Sequence, residues 1–286
     1  MATLKAIRRR VSSVRNIQQI TKAMKMVSAA RLRRAQEAAL AARPYAEKLE
    51  AVLQNLAAQS RALIHPFLTA REEKNIDLLL LTSDRGLCGG FNANLVRAAE
   101  AFTREHPGQK VTLSLVGRRG FDHFKRRSVT IAEQHINLFG RLTPTLAHEI
   151  GTRMSQRFLN GETDGVYVLY ARFRSALVQV PTIDRVLPIT AKERSATQAP
   201  LEYRYEPEPQ ALLESLLTRY IDMLIYRAML ESIASEHGAR MTAMDNATNN
   251  AVDMIDRLTL DMNRARQSSI TRELLEIVST GEALKG

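Results

Sequence analysis

Helix breakers are almost absent from both ends of this 286-residue chain. The first Pro is Pro44 and the first Gly is Gly86. Ten of the thirteen Gly lie between Gly86 and Gly165, no Pro follows Pro209, and Gly238 is the only Gly from there to Gly281. Uninterrupted ends and a punctuated middle predict a long helix at each terminus with a looped domain between them.

Apolar spacing agrees. Leu4, Ile7, Val11, Val14, Ile17, Ile20, Met24 and Val27 step by three and four. After a phase slip come Ala35, Ala38, Ala42, Tyr45, Leu49, Val52 and Leu56. The C-terminal segment carries Met241, Met244, Thr248, Ala251, Ile255, Leu258, Met262 and Ala265. Seams of this kind want a partner helix, and small residues on both allow close approach. Slips in phase mean a locally unwound supercoil. Pro44 removes one backbone hydrogen bond, but the pattern resumes after it, so a bend is expected there and not an end. At 1.5 Å per residue, residues 3–58 would span about 80 Å and residues 209–280 about 105 Å. The simplest pairing is antiparallel, with the longer C-terminal helix projecting beyond Met1.

The middle, about 75–195, reads as α/β. Ile76–Thr82, Val111–Val116 and Gly165–Ala171 are continuous apolar runs of the buried-strand type. Helical patterns fall at 92–105, 118–127 and 145–160. The alternation predicts a largely parallel, Rossmann-like sheet. The expected fold class is therefore an antiparallel two-helix coiled coil from the N- and C-terminal segments with a central Rossmann-like α/β domain. Its expected parts are an N-terminal helix (1–58), a connector (59–74), the α/β domain (75–189), a polar linker and foot (190–207) and a C-terminal helix (208–286).

The excess of positive charge is concentrated at one end. The net charge is +11, and residues 1–36 carry ten Lys or Arg and no acid. Residues 207–286 carry eight basic and twelve acidic groups. An acidic partner for the N-terminal segment follows. A transit peptide fits its composition, but the helical seam runs on without a cleavage break. A membrane-surface helix fits its charge, but Trp and Phe are absent from it. A basic arm on nucleic acid remains as the alternative reading. No apolar run is long enough to span a bilayer.

Enzymatic signals are weak. Ser83-Asp-Arg-Gly-Leu-Cys-Gly-Gly-Phe-Asn92 stands where a phosphate-binding turn would stand, but it lacks both glycine fingerprints, and no acidic residue closes the second strand. It reads as a tight turn with structural or partner-contact duties. Cys88 is the only cysteine and the six His are scattered, so neither a disulfide nor a cysteine-based metal site is expected, and no cofactor. Arg85 and a helix start beside Cys88 could favour a thiolate.

Three stretches together resemble the gamma subunit of the F-type rotary ATP synthase, bacterial type. They are Ile7–Val27 continuing to Arg43-Pro-Tyr45, Ser83–Gly90, and Ser235–Asn249 followed by Asn263–Val278. The resemblance runs through nearly the whole chain. It implies a non-catalytic central-stalk shaft that couples rotation of a c ring, driven by a proton gradient, to sequential change in the catalytic beta subunits. It implies alpha, beta, epsilon and c subunits as partners, no nucleic acid, and a peripheral place on the cytoplasmic side of a bacterial inner membrane, reached through the c ring. By position, Lys22, Met24, Lys25, Arg240, Arg266, Gln267 and Thr271 would contact beta. Tyr203, Tyr205 and Glu206 would form the foot on the c ring and epsilon, and Ile277, Val278 and Leu284 the shaft tip. Plant chloroplast relatives carry a cysteine pair that gates activity; with Cys88 alone, thiol switching is not expected.

Overall fold

The computed structural model describes residues 4–59, 65–138, 143–189 and 209–283. Two long helices are present, α1 over Leu4–Gln59 and α5 over Pro209–Ala283. Helix α1 continues through Pro44. Between them lie β1 (Asn75–Leu81), α2 (Phe91–Glu105), β2 (Lys110–Val116), α3 (Arg118–Phe124), β3 (Thr130–His135), α4 (Pro144–Leu159), β4 (Gly165–Phe173) and β5 (Gln179–Leu187), after a short 3-10 turn at Pro66–Leu68. The polar segment 190–207 lies outside the described residues.

The chain divides into two units. One comprises residues 28–240. Its sheet has the order β3-β2-β1-β4-β5, parallel except for β5, which runs antiparallel to β4. Central β1 is Asn-Ile-Asp-Leu-Leu-Leu-Leu, buried on both faces, as a strand covered by helices on each side must be. Its side chains alternate. Leu79 and Leu81 enter a core with α4, with Leu49 and Leu53 of α1, and with Leu213, Leu217, Ile221 and Ile225 of α5. Ile76, Leu78 and Leu80 enter a second core with Leu95, Ala99 and Phe102 of α2 and Phe124 of α3. The result is a sheet between two helical layers.

Strands β3 and β5 add to what the apolar runs predict. Both are sheet edges. Thr-Ile-Ala-Glu-Gln-His and Gln-Val-Pro-Thr-Ile-Asp-Arg-Val-Leu have no continuous apolar run, because an edge strand buries little. Pro181 is tolerated in β5 because the outer side of an edge needs no donor.

The other unit comprises residues 1–27 and 241–286. Thr248 Oγ1 lies 2.8 Å from Thr21 Oγ1, and Lys25 Nζ lies 2.6 Å from Asp245 Oδ1. Moving up α1 moves down α5, so the helices are antiparallel. The C-terminal seam falls as its spacing predicts, from Met241 to Ala265, each residue buried or half-buried. The N-terminal seam needs correction. Ile17, Ile20 and Val27 are 52%, 58% and 52% exposed, and in the first unit Tyr45 is 54% exposed. The inward positions are Ile7, Val11, Val14, Gln18, Thr21, Lys25 and Ser28, continuing to Leu32 and Ala35. These alternate steps of four and three, the coiled-coil average of 3.5. Ile17 and Ile20 follow two successive steps of three, and at 100° per residue each such step turns them further from the seam. Polar Gln18, Thr21 and Ser28 take their places.

Candidate functional site

In the paired-helix unit, the predicted contact residues Lys22, Met24 and Lys25 lie within two turns of one another on α1. Lys22 is exposed, while Met24 and Lys25 are half-buried, Lys25 beside Asp245 of α5. The Lys25 ammonium is shared with Asp245, whose side chain is 44% exposed. The basic segment is thus partly neutralised from within, one turn from a Thr21–Thr248 contact that holds the register. Thr21 also donates to the carbonyl of Gln18 at 3.0 Å. Asp245, Thr21 and Thr248 were not singled out as site residues by sequence; the signal for Thr248 is its place in the C-terminal seam, and Asp245 has none without the partner helix.

Arg266, Gln267 and Thr271 are exposed, as is every described residue from Arg266 to Thr280. Thr271 returns its hydroxyl to the carbonyl of Gln267 at 3.0 Å. Ile270, Leu274, Ile277 and Val278 lie along this bare stretch with side chains in solvent, a patterned apolar stripe of the kind that marks an interaction surface. Tyr203, Tyr205, Glu206 and Leu284 lie outside the described residues.

Arg240 belongs to the α/β unit and is buried. Its guanidinium pairs with Glu236 at 2.5 Å, donates to the carbonyl of Gly86 at 3.2 Å and to that of Arg85 at 3.5 Å, and lies 3.3 Å from His237 Nδ1. Burial, then the Arg240 and Arg31 charges, hold the His237 imidazole down to about 4. It is neutral at physiological pH and can accept from Arg240. Burial pushes the Glu236 carboxyl up, with Arg240 opposing. All donors on Arg240 with described partners are therefore directed inside the chain, onto the turn after β1.

That turn is closely knit. Asn92 Nδ2 donates to Ser83 Oγ at 2.8 Å and to Cys88 Sγ at 3.1 Å, and its Oδ1 accepts from the Ser83 amide at 3.0 Å. Leu87 and Gly89 take left-handed φ values of 63° and 57°, which costs a Leu free energy that the surrounding bonds must offset. Cys88 is 2% exposed, and burial raises its thiol pKa above the ordinary range, with Arg240 opposing. Helix-start activation of Cys88, open on sequence, is overridden by this burial, and the chemistry of the turn is that of a held structural element.

Comparison with known proteins follows the same lines. The profile of the family described as ATP synthase matches residues 3–284. A Geobacter protein (strain M21) named ATP synthase gamma chain is 48% identical over 288 residues, covering all of both chains. One of the same name from Pelotomaculum thermopropionicum is 47% identical over 285 residues, again covering both completely. Among solved structures, a chain of the Euglena gracilis mitochondrial ATP synthase (OSCP/F1/c-ring) superposes with a TM-score of 0.68 at 20% identity, over 98% of this chain and 94% of that one. A chain of the Tetrahymena thermophila mitochondrial ATP synthase central stalk and c ring gives 0.62 at 24% identity, over 80% and 99%. At those identities the likeness is one of fold.

Proposed function

The chain belongs to the ATP synthase gamma-chain family, and on that premise we propose that it is the rotating central shaft of a proton-translocating F-type complex. It performs no bond chemistry itself. It couples rotation of a membrane ring to successive conformational change in catalytic partner subunits, and the reverse during ATP hydrolysis. The observation that carries this reading is the antiparallel pairing of helices from opposite ends of the chain, fixed by Thr21–Thr248 and Lys25–Asp245, in a sequence 48% identical to a named gamma chain over its whole length. The alternative, a basic arm on nucleic acid, has no relative among these matches to support it.

The contact chemistry suits a turning part. A rotating interface works if no angular position is bound too tightly. Half-exposed or exposed ion pairs are worth only about 0–1 kcal/mol, so Lys22, Met24 and Lys25 can meet acidic loops of a beta-type subunit in shallow wells. Asp245 blunts the Lys25 charge further. Arg266, Gln267 and Thr271 offer exposed hydrogen-bonding groups to the same class of partner. Ile277 and Val278 (with Leu284) form an apolar tip that turns in an apolar collar. Arg240, whose bonds lie inside the α/β unit, fixes the turn after β1. The resemblance assigns the foot toward the c ring and epsilon to Tyr203, Tyr205 and Glu206. No described helix is long and apolar enough to cross a membrane; attachment at the cytoplasmic face of a bacterial inner membrane is through the ring.

Tagged copurification from native membranes, with ATPase assayed on the eluate, tests the reading. Alpha, beta and epsilon partners should coelute with ATPase activity. Elution of the chain alone, or with nucleic acid that leaves at high salt, would reject it.

A further inference from the structure

An open parallel sheet forms a ligand crevice where its strand order reverses, at the carboxyl ends of the two strands concerned. In the α/β unit that place lies between β1 and β4. From β1 the chain moves outward through β2 to β3, then returns to the far side of β1 for β4. The crevice is bordered by Thr82–Asn92 after β1 and by Ala171–Val178 at the end of β4. In this architecture a nucleotide would be sought there.

The chain's own helix α5 fills it. Ser235, fully buried, donates its hydroxyl to the carbonyl of Ala171 at 2.8 Å. One turn on, Gly238 meets the end of β4 so closely that a Cβ there would stand 3.2 Å from Phe173 Cε2 and 3.3 Å from the Cα of Ala176. Two residues further, Arg240 binds the carbonyls of Arg85 and Gly86 on the opposite wall. Positions 235, 238 and 240 thus engage both walls from one short stretch of helix. A Gly inside a helix costs about 1 kcal/mol relative to Ala, and the approach of Phe173 and Ala176 is the physical reason for one at 238.

We propose that this crevice is a clamp, filled by the C-terminal helix in place of a ligand. Ser235, Gly238 and Arg240 are positioning residues that seat the part of α5 within the α/β unit against the loops after β1 and β4, so that torque received by the sheet and its loops enters the helix. The proposal rests on the shaft reading above and deepens it. Its structural half stands on these contacts alone: with Gly238 and Arg240 seated, the turn Ser83–Asn92 is held shut over Cys88.

Cys88 is the natural reporter. In the reconstituted complex in proton-tight vesicles, its alkylation by iodoacetamide is followed by peptide mass spectrometry, beside ATP hydrolysis and ATP-driven proton uptake. Gly238→Leu and Arg240→Ala are each expected to raise the Cys88 alkylation rate at least tenfold. Both should lower protons moved per ATP hydrolysed at least threefold while hydrolysis persists. Arg240→Lys, which keeps a cationic donor for Gly86 and Glu236, should recover much of both losses; a general loss of stability would not yield that split. Should Gly238→Leu fail to assemble, the two Arg240 variants carry the test. An unchanged alkylation rate in Arg240→Ala overturns the clamp, and a loosened turn with an unchanged ratio overturns its role in coupling. Failure of the shaft reading shows separately, as a wild-type chain that neither assembles nor supports proton uptake.

Discussion

Replacing Asp77 with Asn is expected to make the stability of the α/β unit less dependent on pH. Asp77 lies in the middle of β1 with no exposed surface. Arg157 Nη2 of α4 approaches its carboxylate at 2.9 Å, and Ser114 donates to it at 3.0 Å. Burial nevertheless wins: the Asp77 carboxyl is pushed from 3.8 up to about 6, with Arg157 and Ser114 pulling it down and the Glu133 charge adding to the rise. A carboxyl whose pKa is higher folded than unfolded binds its proton more tightly in the folded state. Its contribution to stability is full below pH 3.8 and is lost as pH rises through about 6. About two pKa units correspond to about 3 kcal/mol, or about 6–12 °C in Tm for a unit of this size. Asn is of similar shape and cannot ionise. The difference in Tm between wild type and Asp77→Asn, measured by circular dichroism from pH 4 to pH 7, should shift in favour of the variant by about that amount. A difference that stays flat across the range would show that Arg157 fully compensates the buried charge, and the reasoning would fail.

Arg157→Leu removes the cation and leaves Asp77 buried with Ser114 alone; a loss of about 3–5 kcal/mol in urea unfolding is expected, relieved when Asp77→Asn is added. Thr248→Val removes the side-chain contact with buried Thr21, and should cost about 1 kcal/mol, read from amide exchange in residues 18–28. Asp245→Asn breaks a half-exposed pair and should change stability by less than about 1 kcal/mol, an effect that fades in high salt. Truncation after Ser269 removes only side chains that are exposed or undescribed; Tm of the free chain should stay within about 1 °C, while ATP-driven proton uptake in the assembled complex reports how much the tip contributes.

Much of this architecture is legible in the sequence, because its physical causes are local. A segment without Gly or Pro, with apolar steps of three and four, has few alternatives to helix, and α1 and α5 begin and end within a few residues of their spacing. The runs 76–82, 111–116 and 165–171 are apolar on both faces because they lie inside a covered sheet, so composition alone marks them. The Met241–Ala265 seam is apolar or small throughout, so periodicity identifies the buried face directly. The family, too, is legible in the sequence, through Ile7–Val27, Ser83–Gly90, Ser235–Asn249 and Asn263–Val278.

What escaped depends on a partner distant in sequence. Strands β3 and β5 are strands because β2 and β4 offer them hydrogen bonds, and edge residues carry little apolar signal of their own. The face that α1 turns inward was decided by α5: Thr21 is buried because Thr248 stands opposite it and Lys25 is half-buried beside Asp245, while Ile17, Ile20 and Val27 face out. The resemblance marks Arg240 as a partner-contact residue, and nothing local in the sequence shows that folding brings Arg85 and Gly86 within its reach across more than 150 residues. Periodicity reports which residues can share a face. Which face is buried, and what an isolated charge is bonded to, is set by long-range packing, where the cost of burying a polar group is offset only by a partner that local sequence does not contain.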